Sequence, residues 1–220
     1  MNERLLAIGD IHGCMDPFRE LVEKKIGIRR SDRIVLLGDY IDRGYRSREV
    51  IDYIIDLQNQ GYDIIPLMGN HESMLIESLG SERSLYNWSM NGGSETIFSF
   101  GIKSSNELDV KYLQFFKNLL FYYIQDQFIF VHAGFNNELA DPFQDKSHMI
   151  WSRRESYSNP VFNGKIIVHG HTPVPFTHCR EVVLSDHNVI NIDTGCVYDK
   201  LGGYGHLTAI EVFTRELFSV

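Results

Sequence analysis

The first third of the chain contains GDIHG at residues 9–13, GDYIDRG at 38–44 and GNHE at 69–72, and each segment directly follows a short apolar run. Runs of this length and composition predict buried β-strands. Pro66 interrupts the third run, which predicts a strand near the edge of its sheet because proline cannot donate to the strand ladder. The three polar segments therefore follow the ends of three successive strands.

Helix signals separate these strands. Asp16 and Pro17 are typical of a helix start, and Gly27 is typical of its end. A second helix is predicted over about residues 48–60, with Gly61 as its stop. Strands that alternate with helices at this spacing predict parallel strands joined by right-handed crossovers. The carboxyl ends of parallel strands lie at one edge of a sheet, which is where α/β folds bind ligands.

The rest of the chain predicts a helical stretch followed by a second sheet. Residues from about 73 to 120 have a mainly helical pattern, interpreted as an insertion. Short turns such as residues 185–188 favour antiparallel pairing in the second sheet. No linker or repeat is visible, so we expect one domain over 1–220. Strands are predicted over residues 128–132, 165–169, 181–184, 189–192 and 207–213.

The polar residues at the strand ends are oxygen and nitrogen ligands without any cysteine. Such a set suits a divalent ion such as manganese, iron or zinc. Asp10 and His12 are two positions apart and can bind one ion together, and Asp39 can bridge this ion and a second ion. Two later strands also end in histidines. The expected ligands of the second ion are Asn70, His132 and His171.

Composition excludes several other functions. The 220 residues contain 21 Lys and Arg against 29 Asp and Glu, a net charge of −8 that argues against general nucleic-acid binding. We find no apolar stretch long enough to span a membrane. The three cysteines form no CxxC pair, and no signal peptide pattern opens the chain, so we expect a reducing, cytoplasmic setting.

The segments GDIHG, GDYIDRG, GNHE, VHAG and GHT, in this order, resemble the metallophosphoesterase superfamily. More narrowly, they resemble the phosphoprotein phosphatase family of serine/threonine phosphatases in its compact bacterial and phage form. The resemblance extends from Asp10 to about Gly195. It implies a calcineurin-like α/β fold, with two central β-sheets flanked by helices in an α/β/β/α sandwich.

The resemblance also implies roles for particular residues. His71 is similar to the general acid of the family, and Asp42 to the carboxylate that orients it. Arg43 and Arg153 resemble the phosphate-binding arginines, although the adjacent Arg154 remains an alternative to Arg153. Two divalent ions are implied, most simply Mn²⁺, with Fe or Zn as alternatives. The implied metal ligands are Asp10, His12, Asp39, Asn70, His132 and His171, and Asn70 also adjoins the substrate.

His169 is a second ambiguity within these segments. On an extended strand it faces the same side as His171, and we expect it beside the site rather than among the ligands.

Our leading hypothesis from the sequence is a metal-dependent phosphomonoester hydrolase that acts on phosphorylated proteins or peptides. Metal-activated water attacks phosphorus in line, His71 protonates the leaving group, and small phosphate esters serve as substrates in vitro. The alternative is a symmetrical dinucleoside tetraphosphate, or RNA-end pyrophosphate, hydrolase. His12, Asp42 and Glu72 favour the protein phosphatase, because those relatives usually differ there. A non-catalytic binding module is a third alternative, disfavoured because every ligand type is present. The sequence leaves the oligomeric state open.

Overall fold

The computed structural model describes residues 3–198 and 200–220, and its strands form two sheets. Short apolar runs form most of these strands, as the sequence predicts. The strands are β1 (Leu5–Ile8), β2 (Arg33–Leu36), β3 (Asp63–Pro66), β4 (Tyr122–Gln125), β5 (Phe128–Val131), β6 (Ile166–His169), β7 (Val189–Asn191), β8 (Thr208–Glu211) and β9 (Glu216–Ser219).

Helices connect the strands and fill the stretch between β3 and β4. They are α1 (Met15–Glu20), α2 (Ser47–Asn59), α3 (Asn70–Ser78), α4 (Glu82–Trp88), α5 (Ser94–Phe100), α6 (Val110–Lys117), α7 (Lys146–Trp151) and α8 (Phe176–Val183). Helix α1 continues into a π-helical segment that ends at Gly27, whose φ of 57° is left-handed, as the predicted stop requires. The predicted start at Asp16 is wrong, because Cys14 holds the N-cap position. No helix within the described residues is long and apolar enough to cross a bilayer.

The first sheet has the order β3-β2-β1-β8-β9. Strands β1, β2 and β3 are parallel, as the alternating strands and helices predict, and β8 and β9 join in antiparallel fashion. Strand β3 is an edge strand, which confirms the interpretation of Pro66.

The second sheet has the order β4-β5-β6-β7, in which β5, β6 and β7 are parallel. The predicted strand over residues 181–184 is wrong: these residues lie in or directly after α8. Cys179 and Val183 are four positions apart and both buried, which is the period of a helix. This period outweighs the preference of Val182 and Val183 for a strand, and the segment is helical. The turn at residues 185–188 therefore leads from α8 into β7 and does not form a hairpin.

The two sheets pack face to face, and alternate strand residues determine which layer each side chain enters. On the inner face, Leu5, Ala7 and Val35 share a core cluster with Phe128 and Phe130 of the second sheet. On the outer face of the first sheet, side chains of β1 and β2 pack against α1 and α2. These outer residues include Leu6, Ile8, Ile34, Phe18, Val50 and Ile54. The architecture is the α/β/β/α sandwich expected from the sequence.

Candidate metal centre

The carboxyl ends of the parallel strands of both sheets meet at one edge, and their polar side chains form two clusters there. His12, Asp39 and His71 make up one cluster, and Asp39, His132 and His171 make up the other. Within each cluster the ligand atoms lie within 4.8 Å of one another. Asp39 belongs to both, so its carboxylate stands between two potential ion sites.

His132 shows why the second cluster fits a cation. Its Nδ1–H donates to the carbonyl oxygen of Leu37 at 2.9 Å, so its Nε2 carries a lone pair. His132 Nε2 lies 2.9 Å from Asn70 Oδ1 and 3.2 Å from His171 Nδ1. Asp39 Oδ1 is 3.5 Å away. Of these four converging atoms, only His171 Nδ1 can carry a proton, and that proton can satisfy only one of the other three, which are acceptors. His171 Nε2 is itself buried and has no hydrogen-bond partner among the described residues.

His12 is oriented in the same way in the first cluster. Its Nδ1–H donates to the carbonyl oxygen of Ile41 at 2.9 Å, which leaves Nε2 as an acceptor 3.5 Å from Asp39 Oδ2. Arg43 Nη1 lies 2.8 Å from the same Nε2. A backbone carbonyl that fixes the tautomer and aims the other ring nitrogen is typical of a metal-binding histidine.

Burial keeps these imidazoles neutral. It lowers the pKa of His12 and of His171 to about 3, and it also lowers the pKa of His132. Neutral imidazoles, a carboxylate and an amide oxygen offer lone pairs with few protons to share. The donor chemistry of the second cluster, and that of His12 and Asp39 in the first, therefore fits a hard or borderline divalent ion.

Asp10 is placed differently from the other predicted ligands. Its carboxylate accepts the backbone N–H of His171, at 3.1 Å from Oδ2 and 3.3 Å from Oδ1. Burial and the neighbouring carboxylate of Asp193 raise its pKa well above the usual range. Asp10 lies outside both three-residue clusters found in the described residues. It connects the end of β1 to the loop that carries His171.

His71 and Asp42 form a buried pair beside the first cluster. His71 Nδ1 lies 2.7 Å from Asp42 Oδ2, which also accepts the indole N–H of Trp88 at 2.8 Å. The hydroxyl of Thr96 donates to Asp42 Oδ1 at 2.6 Å. Burial opposes a charge on His71, but the carboxylates of Asp39 and Asp42 outweigh it and raise its pKa. Nδ1 is thereby occupied, and His71 Nε2 faces Asp39 Oδ2 at 3.9 Å.

Glu72 positions the loop that presents Asp39, a role that the sequence analysis missed. Its Oε2 accepts the N–H groups of Asp39 at 2.9 Å and Gly69 at 3.1 Å. Its Oε1 accepts those of Tyr40 at 2.8 Å and Ile41 at 3.3 Å. Burial and the Asp39 carboxylate raise the pKa of Glu72, yet four N–H donors leave neither oxygen free to hold a proton, so we assign the carboxylate form.

Three arginines that the sequence singles out differ in how near they lie to the two clusters. Arg43 reaches His12, as described. Arg153 Nη1 donates to Thr172 Oγ1 at 3.1 Å, one residue beyond His171. Arg154 instead pairs with Glu138 at 3.5 Å on the surface. The geometry favours Arg153 over Arg154 as the second arginine near the centre.

Backbone conformation also marks this edge. Five non-glycine residues here have left-handed φ angles: His12 (45°), Asp39 (51°), Asp42 (72°), Arg43 (66°) and His171 (73°). Among the other non-glycine residues that the structure describes, only Asp126 and Arg215 share this conformation. Strained backbone of this kind concentrates at functional sites, where the side chain matters more than local stability.

Three further features of the structure bear on the sequence-based predictions. His169 points away from both clusters: its Nδ1 lies 3.1 Å from the carbonyl oxygen of Gly170, and it lines a separate pocket with His178 and His187. Trp88 and Thr96 contact Asp42, although the sequence suggested only packing for Trp88 and nothing for Thr96. Glu72 lies three residues after Gly69, the N-cap of α3, which is the spacing of the glutamate in a capping box.

Comparison with known proteins defines the class. The calcineurin-like phosphoesterase family model matches residues 3–199, and the chain belongs to that family. As a member, it is a metal-dependent phosphoesterase. A curated relative is the bis(5'-nucleosyl)-tetraphosphatase PrpE [asymmetrical] of Anoxybacillus flavithermus, which is 28% identical over 97% of this chain and 92% of its own length.

Solved structures show the same fold. A putative diadenosine tetraphosphatase superposes with a TM-score of 0.67 at 18% identity, covering 99% of this chain and 93% of the other. A serine/threonine phosphatase from Saccharomyces cerevisiae gives a TM-score of 0.68 at 14% identity, covering 99% and 79%. The narrower prediction of a serine/threonine phosphoprotein phosphatase is not supported, because the curated relatives of near-equal length are named as tetraphosphatases.

Proposed function

We propose that this protein hydrolyses dinucleoside tetraphosphates asymmetrically, to a nucleoside triphosphate and a nucleoside monophosphate. The similarity to bis(5'-nucleosyl)-tetraphosphatases [asymmetrical] over 97% of this chain and 92% of the relative carries the proposal. It favours the alternative of the sequence analysis over its main hypothesis. That alternative named symmetrical cleavage, whereas the names of these relatives favour the asymmetrical reaction.

The side chains at the strand ends would hold two divalent ions, and we expect Mn²⁺, with Fe or Zn as alternatives. His12, Asp39 and Asp10 would hold one ion. Asp39 would be shared with the second ion. When bound, such a pair of ions acidifies a water molecule and offsets charge on the phosphoryl oxygens. The ligands of the second ion would be Asp39, Asn70, His132 and His171.

The remaining residues of the centre act on the substrate directly. Arg43 and Arg153 would bind phosphoryl oxygens, since a guanidinium donates two parallel N–H groups to them. Asn70 adjoins the same oxygens. His71 holds its Nδ1 proton against Asp42, so a proton on Nε2 is available to the leaving oxygen. A phosphate leaving group departs as a weak base, and this proton matters less for an anhydride than for an alkyl ester.

The decisive experiment is product analysis on metal-stripped protein refilled with one metal at a time. With diadenosine tetraphosphate, we expect ATP and AMP in equal amounts, and no activity without metal. Two equivalents of ADP would instead establish the symmetrical reaction. The variant Asp39→Asn serves as the inactive control, because it removes the carboxylate common to both clusters.

A phosphomonoester hydrolase acting on phosphorylated proteins or peptides is the second candidate. The buried His71–Asp42 pair, supported by Trp88 and Thr96, favours it, because an alkoxide needs a proton in order to leave. A phosphoserine peptide assayed beside diadenosine tetraphosphate ranks the two. A faster reaction on the peptide would reverse our order.

We also propose a cytoplasmic location. Cys14, Cys179 and Cys196 are all free thiols in the structure, as is usual in a reducing compartment.

A further inference from the structure

An open cleft lies beside the proposed second ion site. It has a volume of about 480 Å³, which is within the range of small-molecule sites. We call it the Trp151 cleft. Its lining residues are Ser147, His148, Trp151, Ser152, Arg153 and Arg154.

Trp151 presents an aromatic ring at a fixed distance from the centre. It is the last residue of α7, where Met149 and Ile150 are buried and the carbonyl of Met149 accepts the N–H of Ala133 at 2.8 Å. The indole stands perpendicular to the His171 ring at 5.9 Å, and 45% of the residue is exposed. An exposed tryptophan on a rigid support loses little entropy when a second ring stacks on it.

The charges around the indole favour a phosphate-bearing ligand. Arg153, which bonds Thr172, and Arg154 both line the cleft, in a chain whose net charge is −8. Arg154 forms an ion pair with Glu138, at 3.5 Å between side chains that are 44% and 77% exposed, so this contact yields readily to another anion. His148 is tied to Asp145 at 2.8 Å. The carboxylate of Asp145 is therefore already paired.

We propose that the Trp151 cleft binds the nucleoside 5'-phosphate end of the substrate, with the base stacked on Trp151 and Arg154 on the phosphate chain. This inference rests on the proposed function and adds how the substrate is recognised. An aromatic ring accepts any base, because each base has a π-face, so the cleft selects nucleotides over base-free phosphates without selecting one base. Arg153 lines the cleft and also bonds Thr172, the residue after His171, so one phosphate chain can connect the two sites.

Comparison of two substrates tests the cleft kinetically. Diadenosine tetraphosphate carries bases, and inorganic tetraphosphate carries the same anhydride bonds without them. We expect Trp151→Ala to lower kcat/KM for the dinucleotide roughly 5- to 150-fold more than for inorganic tetraphosphate, which is the effect of one stacked base. Trp151→Phe should recover most of the wild-type ratio between the kcat/KM values of the two substrates. Equal losses on both substrates would overturn the proposal and leave the proposed function intact.

Phe213→Ala is the matched control. Phe213 is 50% exposed, much as Trp151 is. It follows the carboxyl end of β8, and because β8 is antiparallel to β1, this end of the first sheet lies opposite the candidate metal centre. We expect it to leave the ratio of the two substrates unchanged.

Tryptophan fluorescence tests binding without any turnover. The chain has two tryptophans, and Trp88 is fully buried, so quenching by a stacked base reports on Trp151. We expect AMP to quench the wild-type emission, ribose 5-phosphate not to, and Trp151→Phe to abolish the response. If the wild type fails to cleave diadenosine tetraphosphate, the proposed function fails, and this measurement still decides the cleft: quenching supports it, and no difference between AMP and ribose 5-phosphate refutes it.

Discussion

The substitution Glu72→Gln isolates the contribution of one buried carboxylate to the loop that carries Asp39. Each Glu72 oxygen accepts two backbone N–H groups, from Asp39 and Gly69 on one side and from Tyr40 and Ile41 on the other. Glutamine replaces one oxygen with an NH₂ group. Whichever way the amide turns, two buried N–H groups then face a donor.

The cost follows from those two groups. An unsatisfied buried donor costs about 1–3 kcal/mol, so the variant should lose about 2–6 kcal/mol of unfolding free energy. That is a large part of the roughly 5–15 kcal/mol of a typical domain. For a chain of this size, the melting temperature should fall by about 4–24 °C, at 2–4 °C per kcal/mol.

Urea and thermal unfolding measure this loss, and Glu77→Gln provides the control. Glu77 lies on the same helix α3 but is exposed, and it contacts only the hydroxyl of Ser73 among the described residues, at 3.2 Å. We expect the control to change the unfolding free energy by less than about 0.5 kcal/mol. Equal stabilities for the two variants would refute the argument, since they would mean that Glu72 is not an ionised acceptor of four N–H groups.

Three further results are expected. Asp39→Asn should reduce kcat by about 10²-fold or more while the circular dichroism spectrum is unchanged, because both clusters lose their shared charge. His71→Asn should reduce kcat about 10²–10⁴-fold on an alkyl phosphate and much less on p-nitrophenyl phosphate, whose leaving group needs no proton; equal losses contradict a general acid. Arg43→Gly and Arg43→Ala should both lose phosphate binding, yet the glycine variant should be more stable by about 1 kcal/mol, because the φ of 66° is left-handed; calorimetry that ranks them in the opposite order would exclude that strain.

Most of the candidate centre was predictable because its residues follow strand ends. An apolar run that ends in glycine and a polar residue identifies both the strand and the edge at which it stops, so Asp39 and His71, which follow the neighbouring strands β2 and β3, could be expected to meet. Their contact is a consequence of parallel pairing, which the alternation of strands and helices already indicates. The parallel strands and the ligand types were therefore available from local patterns, whereas the α/β/β/α sandwich was implied by the family resemblance.

Other features depend on contacts that no local pattern encodes. Trp88 and Thr96 reach Asp42 across 46 and 54 positions of sequence, from helices α4 and α5. A buried tryptophan in a helix looks the same whether it only packs or also donates its N–H group. At residues 181–184 the local composition favoured a strand, but burial of Val183 against the inner core stabilises the helix.

The left-handed residues show that function, rather than stability, decides the sequence at this edge. Five such residues at about 1–2 kcal/mol each cost roughly 5–10 kcal/mol, a penalty that glycine would avoid. Hydrogen bonds to the backbone N–H groups of three of these residues stabilise the strained conformation. Glu72 accepts the N–H of Asp39, Thr96 accepts that of Asp42, and the Asp10 carboxylate accepts that of His171. These turns need this much support, and they still carry imidazole, carboxylate and guanidinium side chains. This choice of residues is explained only if those side chains act together on one ligand.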